Sequence, residues 1–137
     1  MESEIKILLV DDIAAMRGIL KKVLRSYGYE NFIEASNGEV ALEKFRLQKF
    51  HMAMLDINMP LKNGVELLKD IREIDPNIFV VMVSADSSAE YIKTTLALGV
   101  NGFVVKPYSS AKIGGVIKNF NKHLLALGLT PAVPPKD

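Results

Sequence analysis

Short apolar runs alternate along the chain with longer segments in which apolar residues recur every three or four positions. The short runs have the length of buried strands, and the longer segments have the period of helices that pack one face on a core. The apolar runs cover residues 5–10, 31–35, 78–83 and 103–105, together with the part of 51–60 that ends at Asp56. The helical segments begin at Ile13, Ser36, Gly64, Ser87 and Ser109. This alternation predicts a doubly wound α/β fold, with a five-stranded parallel sheet covered on both faces by five helices.

Polar residues mark the expected helix starts. Ser36 and Glu39 have the spacing of a capping box, in which a serine caps the helix and a glutamate three residues later bonds back to it. We therefore expect the second helix to start at Ser36. Its expected buried residues are Val40, Ala41 and Phe45. The residues that can cap the later helices are Ser87, with Glu90, and Ser109 or Ser110.

The end of the chain contains residues that weaken helices. Gly114 and Gly115 lie inside the last predicted helix, where each glycine costs about 1 kcal/mol relative to alanine. Residues 130–137 are rich in proline, which cannot continue a helix. We therefore predict one domain over residues 1–126, followed by a flexible tail or linker stub over 127–137.

Composition narrows the class of protein without identifying a function. The chain has 137 residues, of which 49% are hydrophobic and 24% are charged, and its net charge is +1. This charge balance, without a run of basic residues, indicates neither nucleic-acid binding nor membrane binding. The absence of cysteine excludes disulfides, thiolate catalysis and zinc–thiolate sites. No apolar run reaches the ~20 residues of a membrane span, and the first residues lack an apolar signal region, so we expect a cytoplasmic protein.

Polar side chains lie where four of the predicted strands end. These residues are Asp11 and Asp12 after the first strand, Asp56 at the end of the third, Ser84 after the fourth and Lys106 after the fifth. Doubly wound folds bind ligands at the carboxyl ends of their strands, near the point where the strand order reverses. The sequence therefore predicts a single site that gathers these residues.

The residue types in this set point to phosphoryl chemistry. Three crowded carboxylates repel one another, and Lys106 alone does not balance them, so a cation is expected. Oxygen ligands of this kind favour Mg²⁺, which also binds phosphate oxygens. A carboxylate can itself be the nucleophile and form an aspartyl phosphate. Magnesium, Lys106 and the Ser84 hydroxyl would then hold the phosphoryl oxygens.

With their neighbours, these residues resemble the receiver domain of two-component response regulators. The matching motifs are Asp11-Asp12, Asp56 with Met59-Pro60 and Gly64, Ser84-Ala85 and Lys106-Pro107, and the resemblance extends over about residues 5–125. It implies a flavodoxin-like fold and a regulatory phosphoacceptor that is not an enzyme, although such a domain phosphorylates itself from phosphodonors and dephosphorylates itself. Asp56 would receive the phosphoryl group from a histidine kinase or a phosphotransfer protein.

The resemblance also implies a metal site. Asp12, Asp56 and the backbone carbonyl of Asn58 would bind Mg²⁺ or Mn²⁺, and Asp11 would act mainly through a metal-bound water. Asn58 and Asp86 would flank the phosphoryl group and set how quickly water removes it.

A conformational switch is the remaining implication. The Ser84 hydroxyl would move toward the phosphoryl group while Phe103 turns inward. The surface that changes would be the fourth helix, fifth strand and fifth helix, at about residues 87–125. A downstream protein would bind there, and the chain would be a monomer or a phosphorylation-dependent dimer.

Among receiver domains, the chain most resembles the stand-alone chemotaxis regulators. The resemblance lies in segments 12–17 and 103–108 and in the Asn58 position.

Three other readings stay open at this point. The first is an interaction module with the same fold that works without phosphorylation. The second is an aspartate-nucleophile phosphatase of the haloacid dehalogenase kind. Such enzymes carry an Asp-x-Asp motif at the nucleophile, whereas this chain has Asp56-Ile57-Asn58 and lacks the second acid. The third, a flavin-binding fold, fits less well because the loop after the first strand is acidic and lacks the hydroxyls and glycines that would cradle a phosphate.

Overall fold

Five parallel strands form one sheet in the order β2-β1-β3-β4-β5. The computed structural model describes residues 5–59, 61–85 and 89–136. Within them the elements are β1 (Ile7–Val10), α1 (Ala14–Ser26), β2 (Phe32–Ala35), α2 (Gly38–Leu47), β3 (Met52–Asp56), α3 (Gly64–Ile74), β4 (Phe79–Ser84), α4 (Ala89–Ala97), β5 (Gly102–Val105) and α5 (Ser110–Ala126). The predicted doubly wound parallel sheet is confirmed. Its strand order reverses at β1, which lies between β2 and β3.

Side chains of each strand point alternately to two layers of helices. In β1, Ile7 and Leu9 belong to a buried cluster with residues of α1 and α5, whereas Leu8 and Val10 belong to a second cluster with residues of α2 and α3. Because both faces are covered, every position of the three central strands β1, β3 and β4 is buried. This burial explains why the strands are continuous apolar runs instead of alternating ones.

The cap of helix α2 lies one residue later than the sequence predicted. Asn37, not Ser36, is the cap, because its Oδ1 accepts a hydrogen bond from the backbone N–H of Val40 at 2.9 Å. The prediction that Val40 is buried is also wrong, since that side chain lies on the solvent side, while Ala41 and Phe45 are buried as expected. Gly38 explains why the helix begins where it does. A Cβ at this first helical position would lie 2.1 Å from the carbonyl oxygen of Lys62, so only glycine fits there.

The other helix ends are largely as predicted. Ser109 caps α5 by accepting a hydrogen bond from the N–H of Lys112 at 3.2 Å. A capping box is present at the start of α3, between Asn63 and Glu66. The predicted box at Ser87 lies outside the described residues. None of the described helices is long and apolar enough to cross a membrane.

Part of the segment after α5 contacts the domain. Leu129 and Ala132 pack against the cluster under α1 and α5. The backbone N–H of Ala132 donates to the Tyr29 hydroxyl at 3.2 Å, and that hydroxyl donates to Asn121 Oδ1 at 2.5 Å. The domain boundary at residue 126 and the flexibility of 127–137 stay predictions.

The two adjacent glycines of α5 differ in their surroundings. A Cβ on Gly114 would lie 2.3 Å from the Tyr27 hydroxyl oxygen at the end of α1, whereas a Cβ on Gly115 would meet nothing within 4 Å. Gly114 therefore lets α1 and α5 approach closely, while Gly115 has no such packing role.

We expect alanine at these two positions to have opposite effects. Gly115→Ala should raise the free energy of unfolding by about 0.5–1 kcal/mol, because alanine loses less entropy in a helix. Gly114→Ala should lower it by about 1–3 kcal/mol through overpacking against Tyr27. Urea denaturation measures both, and Tyr27→Phe is the control background in which the Gly114→Ala loss should shrink. Equal changes at the two positions would contradict this packing account.

Candidate functional site

Three carboxylates meet at the carboxyl ends of two neighbouring strands. Asp11 directly follows β1, Asp12 comes next, and Asp56 is the last residue of β3. Parallel pairing of Val10 with Leu55 brings the two strand ends side by side. One carboxylate oxygen from each aspartate lies within 4.8 Å of the others. Asp11 and Asp56 are buried, with 1% and 5% of their surface exposed, whereas Asp12 is exposed.

Lys106, which directly follows β5, extends its side chain to this cluster. Its Nζ lies 2.8 Å from Asp11 Oδ2 and 3.6 Å from Asp56 Oδ1. The backbone N–H of Lys106 donates to the carbonyl oxygen of Ser84 at 2.8 Å, so the ends of β4 and β5 are joined beside the site. Ser84 is fully buried at the end of β4, the strand next to Asp56. The structure thus places all five predicted strand-end residues on one edge.

The electrostatic balance of the cluster disfavours charge on Asp56. Burial is the largest cause that raises its pKa, and the carboxylates of Asp11 and Asp12 raise it further. The ammonium of Lys106 and a hydrogen bond from the backbone of Asn58 lower it, without cancelling the effect of burial. A cation at the cluster would relieve this repulsion.

The donor set fits a hard divalent cation. The three ligand atoms are carboxylate oxygens, and the cluster contains neither histidine nor cysteine. Oxygen-only sites with open positions suit Mg²⁺ or Mn²⁺, and they do not suit zinc or copper. Because Lys106 supplies one positive charge against three negative ones, the cluster has a net negative charge that a divalent cation would offset.

The loop after β3 is held close to Asp56 by a glycine. A Cβ on Gly64 would lie 2.3 Å from the carbonyl oxygen of Asp56, so only glycine lets α3 begin against the end of β3. The N–H of Gly64 also donates to the carbonyl of Ile57 at 2.9 Å. The backbone on both sides of Asp56 is therefore tightly placed.

The remaining predicted residues lie near the site to different degrees. Asn58 is exposed two residues after Asp56, and its backbone bonds to that carboxylate. Phe103 on β5 is half-buried against the cluster that contains residues of α3. Asp86 lies outside the described residues.

Two residues near Asp11 had no assigned role in the sequence. Arg17 Nη1 donates to the backbone carbonyl of Asp11 at 2.5 Å. Tyr108 is half-buried, and burial together with the nearby Asp11 raises its pKa to about 12. The signal that could have revealed Arg17 is its place one helical turn after Ile13, the cap residue that follows Asp12.

The candidate site lies at one edge of the sheet, where the carboxyl ends of β1, β3, β4 and β5 meet. A cavity of about 320 Å³ lies elsewhere, lined by residues that include Phe50, Ile78 and Leu129, near the amino ends of β3 and β4. A phosphoryl group is small enough to bind at an open edge through charges and hydrogen bonds. We therefore locate the candidate site by its chemistry.

Comparisons with known proteins cover most of the chain. A family model described as the response regulator receiver domain matches residues 7–118. The chemotaxis protein CheY of Thermotoga maritima is 34% identical over 117 residues, which are 85% of this chain and 98% of that protein. A CheY-like receiver domain protein from Methanospirillum hungatei has a TM-score of 0.83 and 28% identity, over 90% of this chain and 99% of that one.

A further solved structure is a complex. The CheX-CheY-BeF3-Mg²⁺ complex from Borrelia burgdorferi matches with a TM-score of 0.77 and 28% identity, over 92% of this chain and 90% of that one.

We expect Asp56→Asn to raise the thermal unfolding midpoint of the metal-free protein at pH 7 by a few degrees. The folded-state pKa of Asp56 is above its ordinary value, so the folded protein holds this proton more tightly than the unfolded chain does. Wild-type stability should therefore fall as the pH rises from about 4 through the folded-state pKa. Asparagine removes this loss.

The control for this prediction is Asp70→Asn. Asp70 forms a surface ion pair with Lys62 away from the cluster, so its replacement should leave the midpoint nearly unchanged or slightly lower. Thermal unfolding followed by circular dichroism in EDTA, across pH 4 to 8, measures both variants. A lower midpoint for Asp56→Asn at pH 7 would show that the buried carboxylate is stabilising.

Proposed function

This chain belongs to the response regulator receiver domains, most like the chemotaxis type, and we propose that it is a phosphoacceptor switch charged on Asp56. The observation that carries the proposal is the buried Asp56 carboxylate, grouped with two further carboxylates and approached by the Lys106 ammonium. A buried acid with a raised pKa beside a lysine is electrostatically unfavourable in the folded state, so a purely structural role does not explain it well. It is well suited to accept and hold a phosphoryl group.

Phosphoryl transfer would start from a phosphohistidine of a histidine kinase or a phosphotransfer protein. A carboxylate oxygen of Asp56 attacks the phosphorus, an O–P bond forms, and the N–P bond breaks. The electron pair of that bond stays on the imidazole nitrogen, which then takes a proton from solvent. Hydrolysis later regenerates the free Asp56 carboxylate. Water attacks the phosphorus, the bond between phosphorus and the Asp56 oxygen breaks, and inorganic phosphate leaves.

The surrounding residues would neutralise charge on the transferred group. The Lys106 ammonium, now closer to Asp11 than to Asp56, can turn to the phosphoryl oxygens, and the Ser84 hydroxyl can donate to another of them. Asp12, Asp56 and the carbonyl of Asn58 would hold Mg²⁺ or Mn²⁺, with Asp11 acting through a water. Such a cation, when bound, offsets the negative charge of the phosphoryl oxygens in the transition state.

Signalling would follow from the new contacts of Ser84 and Lys106. Moving a two-state equilibrium from 1:99 to 99:1 takes about 5.5 kcal/mol, and two or three charge-assisted hydrogen bonds of ~1.5–3 kcal/mol each can supply it. Phe103 lies on β5 shortly before Lys106 and would turn inward in the active state. The output surface would be α4, β5 and α5, where a downstream protein would bind. That such chains bind other proteins is supported by the similar Borrelia burgdorferi protein, which was solved in complex with CheX.

The deciding experiment is phosphorylation by a small donor. Incubation with Mg²⁺ and acetyl phosphate or phosphoramidate should add one phosphoryl group, detected by intact mass. Asp56→Asn and metal-free buffer should abolish the adduct, whereas the control Asp70→Asn should keep it. No adduct from either donor, with Mg²⁺ binding confirmed, would favour an interaction module that works without phosphorylation.

We also expect two positions to set the lifetime of the phosphoryl group. Asn58 carries a polar side chain beside Asp56, and Asp86 follows Ser84 by two residues, so both can orient an attacking water. Asn58→Met and Asp86→Lys should each slow dephosphorylation several-fold, as followed by the decay of the adduct after removal of the donor. Variants that lose the adduct as quickly as wild type would rule out this role.

A further inference from the structure

Arg17 connects the candidate site to the edge strand of the sheet. From α1, its Nη1 donates to the backbone carbonyl of Asp11 at 2.5 Å, and its Nε donates to Glu34 Oε1 on β2 at 3.0 Å. The guanidinium is mostly buried, with 15% of the side chain exposed. Its planar fork thus holds two acceptors from different strands at once.

The backbone at Asp11 is where the sheet ladder ends. The N–H of Asp11 still donates to the carbonyl of Ala35 at 3.2 Å, but β1 itself ends at Val10. Arg17 gives the carbonyl of Asp11 a charged donor beyond the ladder. The Asp11 side chain is also held, since Oδ1 accepts from the N–H of Ile13 at 2.9 Å and Oδ2 accepts from Lys106.

Asp12 depends on this backbone more than its neighbours do. Its side chain is exposed, unlike those of Asp11 and Asp56, so packing does not determine where its carboxylate lies. The orientation of the Asp11–Asp12 peptide directs it instead, and Arg17 bonds to the carbonyl of that peptide.

Glu34 keeps the arginine in place and balances its charge. It also accepts from Lys21 Nζ at 2.9 Å, and the hydrogen bonds from these two cations lower its pKa, with Lys21 the larger cause, so it stays ionised at neutral pH. The ion pair with Glu34 reduces the repulsion between Arg17 and a cation held by the aspartates.

We propose that Arg17 is a positioning residue for the metal site: by holding the carbonyl of Asp11, it directs the Asp12 carboxylate toward Asp56. Arg17 does not itself contact the cation. This inference rests on the proposed function, because it assumes that the aspartates bind Mg²⁺ or Mn²⁺. Outer residues that orient metal ligands typically change metal affinity about 10- to 100-fold when removed.

The sign of the effect separates positioning from simple electrostatics. Removing a positive charge near a cation site should tighten cation binding if charge alone matters. Removing a positioning residue should weaken it. The matched control is Lys21→Ala, which also breaks an ion pair with Glu34 but leaves the bond from Arg17 to the carbonyl of Asp11 in place.

Titration calorimetry with Mg²⁺, and separately with Mn²⁺, on the metal-free chain tests the proposal. Arg17→Ala should raise the Kd about tenfold, and Arg17→Lys should raise it less than tenfold, because lysine keeps the charge but cannot hold both acceptors. Lys21→Ala should stay within about twofold of wild type, because this partly exposed ion pair does not hold the backbone of Asp11. Thermal unfolding in EDTA shows that each variant is folded. If Arg17→Ala does not fold, Arg17→Gln is the second variant, because it removes the same positive charge, and it should also raise the Kd.

Phosphorylation by acetyl phosphate gives a second readout. The rate for Arg17→Ala should be low at limiting Mg²⁺ and should return to near the wild-type rate at saturating Mg²⁺. Unchanged or tighter cation binding by Arg17→Ala, or equal weakening by Lys21→Ala, would overturn the positioning role while leaving the phosphoacceptor proposal intact. A wild-type chain that binds neither cation would overturn both.

Discussion

Repulsion among three carboxylates at one sheet edge is the constraint on which the rest of this structure depends. Parallel pairing of β1 with β3 brings Asp11 beside Asp56. Both side chains are nearly excluded from water, and charges inside a protein are only weakly screened from one another. Lys106 offsets only part of this unfavourable balance, since burial, and after it the carboxylates of Asp11 and Asp12, keep the pKa of Asp56 raised. The domain therefore keeps an electrostatically unfavourable group in its folded state, and a cation and a phosphoryl group are the ligands that would relieve it.

Backbone contacts hold the charged groups in place around this repulsion. The N–H of Ile13 and the backbone of Asn58 each bond to a carboxylate of the cluster, and Gly64 lets α3 begin against the end of β3. These contacts hold the site rigidly, because backbone groups next to strand ends and helix starts supply them. In the same way, Arg17 would act through the backbone of Asp11 and not through the ligand.

In the proposed switch, the route from the site to the output surface would run along the end of β5. Lys106 is the first residue after that strand, and its N–H bonds to the carbonyl of Ser84 at the end of β4. A movement of either residue toward a phosphoryl group would therefore be felt by both strands. Phe103 lies on the same short strand, half-buried, where a change of side-chain position would reach the surface of α4 and α5.

The sequence by itself determined the doubly wound fold and the five strand-end residues, because apolar periodicity follows from burial and strand ends follow from where it stops. It could not place Asn37 as the cap of α2, since Gly38 approaches Lys62 only after the loop has folded. The sequence grouped Lys106 with Asp11 and Asp56 at one edge, but only the tertiary structure decided that its ammonium lies closer to Asp11, at 2.8 Å, than to Asp56, at 3.6 Å. The bond from Arg17 to Asp11 likewise exists only once α1 packs beside β2, because tertiary packing decides which long side chain reaches which backbone group.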